Sequence, residues 1–311
     1  MKIGLLGASG FVGSAVAQAI SDAGHEVVPV SAPRLTSSAR TLRDTQTAVT
    51  GMIAPPALDA LDECDVVINA AGAATPGGTD SDELYGANAL LPALLVQAMA
   101  ARPGRRLVHI SSAAVHGAAR RLVEDDVVEP VTPYGMSKLL GEQAATASGH
   151  GDTEVVVYRP TSVHGAGRGL TQSLIGFSRS RLSSVAAPGD RPTPQVLVQN
   201  VAAVAVHLAT TPVAPETPVL HPWEQVTTRM LLTGLSGGRT PILVPAPVAR
   251  AAVAAALALG RLHPAVKAQA RRLEMLWFGQ AQAEGWLSQH GPEQLVSWHQ
   301  AFPELASSHR R

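Results

Sequence analysis

The sequence predicts an α/β protein with a doubly wound parallel sheet and a smaller C-terminal domain. Short apolar runs alternate with helical stretches from residue 2 to about residue 165, and this alternation is typical of a parallel sheet. A glycine-rich loop directly follows the first apolar run and opens the first helix. Beyond residue 165 the alternation is less regular. We therefore predict two domains, 1–165 and 166–311, and expect some helices of the second to pack back on the main sheet.

The individual elements follow from the same patterns. The predicted strands share an apolar, β-branched composition and cover residues 2–6, 25–30, 65–70, 106–110 and 154–158. The predicted helices cover residues 14–23, residues 82–101 and the stretch that begins at Thr132-Pro133, where proline is tolerated in the first turn. Residues 34–52 are polar and irregular, and no strand is predicted there.

Composition excludes several functional classes. Basic and acidic residues both total 24, so no net charge favours nucleic acid or an anionic membrane. The single cysteine, Cys64, has apolar neighbours and is expected to be a reduced, buried thiol. The most apolar run, 251–259, is shorter than the roughly 20 residues that a membrane-spanning helix needs. The N-terminal apolar run is broken too early by glycine for a signal peptide, so a cytoplasmic protein is expected.

The glycine loop predicts a dinucleotide site. Its glycines allow the backbone to approach a pyrophosphate, and the following helix offers free N–H groups and the positive end of its dipole. A tight turn without a ligand is the alternative, although the strand-loop-helix context favours binding. The predicted contacts are Gly7, Ser9, Gly10, Phe11, Val12 and Gly13. Residues 1–165 are therefore predicted to form a dinucleotide-binding domain.

The end of the second strand bears on the type of dinucleotide. An acidic residue there would bind the ribose 2′-hydroxyl of NAD, whereas a nearby arginine accommodates the 2′-phosphate of NADP. The chain has Ser31 and Arg34 in this stretch and no acid between them. A guanidinium binds phosphate through two hydrogen bonds, so NADP is favoured over NAD. The alternative for Arg34 is an ordinary solvated loop residue.

A tyrosine and a lysine at helical spacing form the candidate reaction centre. Tyr134 and Lys138 are four residues apart, so both side chains lie on one face of the predicted helix. The cation is expected to lower the phenol pKa from its usual value of about 10, which would suit Tyr134 for proton transfer. The chain has only three tyrosines and three lysines, so this spacing rarely arises by chance. Ser112 follows a strand at the sheet edge where ligands bind, and no metal-site spacing is present.

Together these motifs resemble the extended short-chain dehydrogenase/reductase family, also described as NAD-dependent epimerases/dehydratases. The resemblance covers roughly residues 1–210 and is specific through about residue 168. It implies a Rossmann-type fold, with Ser112, Tyr134 and Lys138 as catalytic residues. It also implies that Tyr134 and Lys138 contact the cofactor. By the same resemblance, Ala70, Ala71 and Gly72 pass beside the adenosine ribose, and Asn88 lies beneath the floor of the site.

The resemblance further implies a nucleotide-linked sugar as substrate and a homodimer as a possible assembly. Dehydratases of the family carry an acidic pair after the active-site hydroxyl residue, where this chain has Ala113 and Ala114, so dehydration is not expected. The first hypothesis is reduction of a keto group on the sugar. The alternatives are a 4-epimerase that keeps NAD bound and, third, a non-catalytic NADP-binding regulator. Candidate substrate contacts in or near the 166–311 region are Ser162, His164, Arg168 and Arg191.

Overall fold

The elements of the fold are taken from a computed structural model, which describes residues 1–73, 79–102, 104–125, 127–149, 153–213, 215, 218–260, 270 and 273–308. The strands are β1 Lys2–Leu6, β2 Glu26–Val30, β3 Val66–Asn69, β4 Arg105–Ile110, β5 Arg121–Leu122, β6 Thr153–Arg159, β7 Ser162–His164, β8 Ser184–Ala186, β9 Gln195–Leu197, β10 Val219–Leu220, β11 Ile242–Val244 and β12 Ala281–Gln282. The α-helices are α1 Phe11–Asp22, α2 Leu42–Thr50, α3 Asp82–Tyr85, α4 Leu91–Met99, α5 Pro133–Ser148, α6 Gly169–Arg179, α7 Val198–Thr210, α8 Thr228–Ser236, α9 Ala246–Leu259, α10 Trp286–His290 and α11 Trp298–Ser307. Short 3₁₀ helices cover Pro56–Glu63 and Ala113–His116, and a π-helix covers Gly86–Leu90.

A six-stranded parallel sheet, in the order β10-β6-β4-β3-β1-β2, forms the centre of the described chain. Alternate residues of its strands face opposite sides, as in any strand. Ile3 and Leu5 pack with α1 and α7 on one face, whereas Leu6 and Leu107 pack with α4 on the other. Helices cover both faces of the sheet and bury its central strands, which confirms the predicted doubly wound α/β fold.

The stretch without a predicted strand contains none among the described residues. Residues 31–41 have no regular structure, and α2 follows them, so β2 forms the outer edge of the sheet. Pro29 lies within β2. A proline has no N–H for a strand on its outer side, and it is therefore found in edge strands.

The predicted helix 82–101 is present but is not uniform. The segment from α3 to α4 is helical throughout, and its centre is the π-helix Gly86–Leu90. Pro92 cannot donate a hydrogen bond to the carbonyl of Asn88, four residues before it. The amide of Leu91 bonds instead to the carbonyl of Gly86, five residues back. A π-turn inside an α-helix often marks a functional site.

The C-terminal half contributes to the main sheet and also builds smaller units. Helix α7 packs on α1 and β4, and β10 extends the sheet beside β6. Three further parallel pairs of the described chain, β7–β9, β8–β11 and β5–β12, lie outside the main sheet. The domain boundary at residue 165 stays a prediction. Within the described ranges, no helix combines the length and apolar character needed to cross a bilayer.

Candidate active site

The strand register brings the predicted loops to one edge of the sheet. Leu6 lies opposite Val30 on one side and Asn69 on the other, and His109 lies opposite Asn69. The four strands therefore end together at their carboxyl ends. Ligands bind at this edge in open α/β sheets, because the loops that follow the strands meet there.

The glycine loop is packed too closely to accept side chains. Gly7 has a positive φ of 78°, and a Cβ atom there would lie 2.7 Å from the backbone nitrogen of Ala71. A Cβ atom on Gly13 would lie only 1.9 Å from the carbonyl oxygen of Gly7. In the described chain no side chain caps the N-terminus of α1, and its first turn has no acidic residue. The helix end therefore presents its dipole and N–H groups to the loop, an arrangement that fits a pyrophosphate.

The segment after β2 lies beside this loop. Ser31 and Arg34 are both exposed. Arg34 also lines a groove of about 630 Å³. Leu35 packs its backbone against Gly86 of the π-helix, where a Cβ atom would lie 2.0 Å from the Leu35 carbonyl oxygen. This contact fixes the course of the segment and leaves the Arg34 side chain at the groove.

Ser112 and Tyr134 are brought together from different elements. Ser112 lies just beyond β4, and its hydroxyl accepts a hydrogen bond from the Ala114 amide at 3.1 Å. Tyr134 lies in the first turn of α5, where Thr132 caps the helix by accepting from the Gly135 amide at 3.1 Å. The hydroxyl of Ser112 lies close enough to Tyr134 to lower the pKa of its phenol. The pair can therefore hold one oxygen of a bound molecule between two hydroxyl groups.

Lys138 is buried one turn further along α5. Its ammonium donates to the carbonyl oxygen of Ile110 at 3.1 Å, and a Cβ atom on Gly72 would lie 3.2 Å from Nζ. Burial lowers the pKa of Lys138 from 10.5 to about 8, while the carboxylate of Glu142 acts in the opposite direction. The lysine is thus largely charged at neutral pH and close to its titration range.

The pKa of Tyr134 differs from the sequence-based expectation. Its pKa is raised, because burial disfavours the phenolate more than the neighbouring groups favour it. The nearby Ser112 hydroxyl opposes this rise in pKa, and so does the positive charge of Arg168; Lys138 is not the opposing cation. The guanidinium of Arg168 lies 5.0 Å from the ring centre of Phe11, next to the glycine loop.

Asn88 holds the loop after β3 against α5. Its side chain accepts from the Ala73 amide at 2.9 Å and donates to the Ala73 carbonyl at 3.1 Å. It also donates to the hydroxyl of Ser137 at 3.0 Å. Gly72 lies directly above it, since a Cβ atom there would lie 2.8 Å from Asn88 Oδ1. The π-turn thereby fixes the loop 70–73 at the floor of the site.

The candidate substrate residues lie in different surroundings. His164 is buried, and its two ring nitrogens contact Thr171 at 3.1 Å and Gln195 at 2.6 Å. Burial lowers its pKa to about 4, so it is neutral. Ser162 lies 3.2 Å from the His164 ring, and Arg191 is exposed. Contact of these residues and Arg168 with a substrate stays a prediction.

A buried ion pair near the site was not predicted. Arg159, at the end of β6, donates hydrogen bonds from two side-chain nitrogens to the carboxylate of Glu142 on α5. The shortest nitrogen–oxygen distance is 2.6 Å. Both side chains are almost fully buried. Glu142 lies four residues after Lys138, so it extends the same helix face. That spacing was visible in the sequence, but the partner on β6 depends on tertiary packing.

Replacement of Lys138 with methionine is expected to increase the free energy of unfolding at pH 7 by about 1–3 kcal/mol. The pKa of Lys138 is lower in the folded than in the unfolded protein, so burial of its charge destabilises the fold. This cost is present in full below about pH 8. That cost disappears as pH rises from about 8 towards the unfolded value of 10.5. The advantage of Lys138→Met, measured by urea unfolding, should shrink over this range. A constant difference in unfolding free energy between the variant and the wild type over this pH range would contradict the lowered pKa of Lys138.

Comparison with known proteins identifies the family of this chain. A sequence model described as the NAD dependent epimerase/dehydratase family matches residues 3–195. A dTDP-4-dehydrorhamnose reductase from Mycolicibacterium smegmatis is 37% identical over 153 residues. That match covers 47% of this chain and 42% of the relative, which is less than half of either protein.

Solved structures share the fold over the full chain. A UDP-glucuronic acid 4-epimerase from Bacillus cereus, in complex with UDP-glucuronic acid and NAD, has a TM-score of 0.66 at 17% identity, covering 100% of this chain and 99% of that one. A dTDP-4-dehydrorhamnose reductase from Bacillus anthracis, in complex with NADP, has a TM-score of 0.62 at 14% identity, covering 98% of each chain. A human epimerase family protein with NADPH has a TM-score of 0.64 at 20% identity, covering 99% of each chain. On the family match over more than half of its length, the chain belongs to the NAD dependent epimerase/dehydratase family.

Proposed function

We propose that this protein is an NADP-dependent reductase that acts on a keto group of a nucleotide-linked sugar. The observation that carries the proposal is the closeness of the Ser112 and Tyr134 hydroxyl groups, with Lys138 one turn away, at the sheet edge that also holds the glycine loop. When bound, a nicotinamide dinucleotide supplies hydride from C4 of its ring. The residues of the chain have to bind and orient the substrate and to protonate its carbonyl oxygen.

Tyr134 is the proposed proton donor. It gives its phenolic proton to the substrate oxygen as the carbonyl carbon is reduced, and Ser112 holds that oxygen through its hydroxyl. The raised pKa of Tyr134 keeps the phenol protonated, as a donor requires, before the substrate binds. The guanidinium of Arg168, the cation that favours the ionised form of Tyr134, then stabilises the phenolate that remains. Lys138 is proposed to hold the nicotinamide ribose.

The proposed substrate class rests on the relatives, and the choice of reduction over dehydration rests on two positions that carry no acidic residue. The Mycolicibacterium relative is named a dTDP-4-dehydrorhamnose reductase, and the Bacillus cereus structure contains UDP-glucuronic acid. Ala113 and Ala114 follow Ser112, so the acidic pair that dehydration uses is missing from these positions. Reduction of a nucleotide-linked keto sugar needs only the proton donor and hydride, which suits the residues that are present.

The direct test is NADPH consumption with dTDP- and UDP-linked 4-keto sugars. Oxidation of NADPH with formation of the reduced sugar is the expected result. Co-purified NAD that is not consumed while the configuration at C4 of the sugar inverts would overturn the reductase and indicate a 4-epimerase. Absence of any dinucleotide binding would overturn both.

Arg34 is the proposed determinant of NADP preference. In Arg34→Ala, NADPH affinity is expected to fall by about 10- to 100-fold because a charge-assisted hydrogen-bonded contact is lost, whereas NADH affinity should not change. Both affinities can be measured by fluorescence titration. Arg250→Ala, which removes an exposed arginine from α9, is the matched control. Equal affinity of the wild-type protein for NADPH and NADH would contradict the NADP assignment.

A further inference from the structure

The carboxylate of Glu142 connects the three elements that carry the candidate reaction centre. It lies on α5, four residues after Lys138, which is itself four residues after Tyr134. It accepts a hydrogen bond from Ser111 at the end of β4, next to Ser112. It also binds Arg159 at the end of β6. One buried anion thus fixes the catalytic helix to two strand ends.

Two buried cations meet this carboxylate, and Asp125 is a second anion of the same cluster, since its charge acts on His116 together with that of Arg159. Arg159 and Lys138 are both buried cations, and Glu142 is the anion that acts on Lys138. Arg159 also donates to the Asp125 carbonyl oxygen at 2.9 Å, so its guanidinium is held from two sides. A buried charge destabilises its site unless an opposite charge or hydrogen bonds compensate it. Glu142 therefore acts on both buried cations, while Asp125 adds a second negative charge to the cluster.

Among the titratable groups of this cluster, Glu142 is the anion that acts on Lys138, whereas Asp125 acts on His116. His109 on β4 is buried and neutral, since burial lowers its pKa well below the usual value. His116, from the 3₁₀ turn, is also neutral at physiological pH because burial lowers its pKa to about 4. Helices α2 and α3 also pack on α5, but their charged residues are exposed: Arg43, Asp44, Asp82 and Glu83.

We propose that Glu142 is a positioning residue of the reaction centre, which keeps Lys138 charged and seated against the Ile110 carbonyl while Arg159 takes part of its charge. The proposal rests on the role assigned to Lys138 in the proposed function. It makes opposite predictions for the two partners of the ion pair. Loss of Glu142 removes the negative charge that acts on Lys138 and should lower the Lys138 pKa. Loss of Arg159 removes the competing cation, so Glu142 acts on Lys138 alone and should raise that pKa.

The chain contains only three lysines, so Lys138 can be observed directly by NMR. In protein labelled with ¹³C-lysine, the Lys138 signal is the one that disappears in Lys138→Met, and its midpoint is expected near pH 8. Glu142→Gln should lower this midpoint by about one pH unit or more. Arg159→Met should raise it. Glu142→Asp, which keeps the charge, should remain close to wild type.

A purely structural ion pair would give a different outcome. Both Glu142→Gln and Arg159→Met would then lower the unfolding temperature without moving the Lys138 midpoint, or would move it in the same direction, and either result overturns the proposal. If Glu142→Gln does not fold, the Arg159→Met and Glu142→Asp midpoints still decide it. Glu154→Gln, which removes the half-exposed partner of Arg106, is the control and should leave the midpoint unchanged.

These titrations use ligand-free protein and need no substrate. The expected midpoints without any turnover of nucleotide sugars would support the role of Glu142 toward Lys138 and contradict the proposed reductase. Turnover by the wild-type protein, together with Lys138 midpoints that do not change in the variants, would support the reductase and show that Glu142 has no positioning role.

Discussion

Tyr134→Phe is expected to reduce turnover by about 100- to 10,000-fold, the contribution of a positioned general acid. The substitution removes one oxygen atom and leaves the ring in place, so α5 and the glycine loop should not move. NADPH affinity should stay within about threefold of wild type, because this loss concerns proton transfer and not burial of the cofactor. Initial rates of NADPH oxidation and a fluorescence titration of NADPH measure the two quantities separately.

Tyr85→Phe provides the matched control for the loss of a tyrosine hydroxyl. Tyr85 is buried in α3, and its ring lies 3.8 Å from the guanidinium carbon of Arg40. Its replacement should leave turnover unchanged. Wild-type turnover in Tyr134→Phe would exclude this residue as the proton donor, and a joint loss of turnover and NADPH binding would point to a disturbed site.

Gly13→Ala is expected to weaken NADPH binding on the order of 100-fold, the effect of a displacement of about 1 Å in a positioned site. The added Cβ atom would lie 1.9 Å from the carbonyl oxygen of Gly7, a backbone atom that cannot move without reshaping the loop. The crowding should also lower the free energy of unfolding by about 1–3 kcal/mol. Calorimetric titration with NADPH and urea unfolding measure both effects.

Gly169→Ala is the control for adding a methyl group to a glycine. No atom lies within 4 Å of a Cβ at Gly169, which begins α6. Its NADPH affinity should equal that of the wild type, and its stability should be unchanged or slightly higher, since alanine favours the helix. Unchanged NADPH affinity in Gly13→Ala would show that the loop does not hold the cofactor closely.

Local patterns in the sequence were sufficient for the framework of the fold. All five predicted strands are present within one or two residues of the predicted bounds, because buried parallel strands are short apolar runs between turn residues. The Thr132-Pro133 helix start is confirmed by the Thr132 cap. The prediction that Cys64 is buried and unpaired is also confirmed. The family resemblance is confirmed over residues 3–195.

Features that depend on packing were missed or wrong. The π-turn at Asn88 had one local signal, Pro92, but its exact register depends on how α5 packs against it. A Cβ atom on Gly141 of α5 would lie 2.0 Å from the Asn88 carbonyl oxygen. The expected lowering of the Tyr134 pKa by Lys138 was wrong, because spacing along a helix gives no measure of burial.

The sequence by itself determined the short apolar strands, the glycine loop and the common helix face of Tyr134, Lys138 and Glu142, since these depend on spacing and residue type along the chain. Only the tertiary structure decided which charges these side chains meet. Arg159 reaches Glu142 from β6, and Arg168 reaches Tyr134 from beyond β7. Electrostatic energies depend on distance and burial in three dimensions, and those are set when the strands and helices pack together.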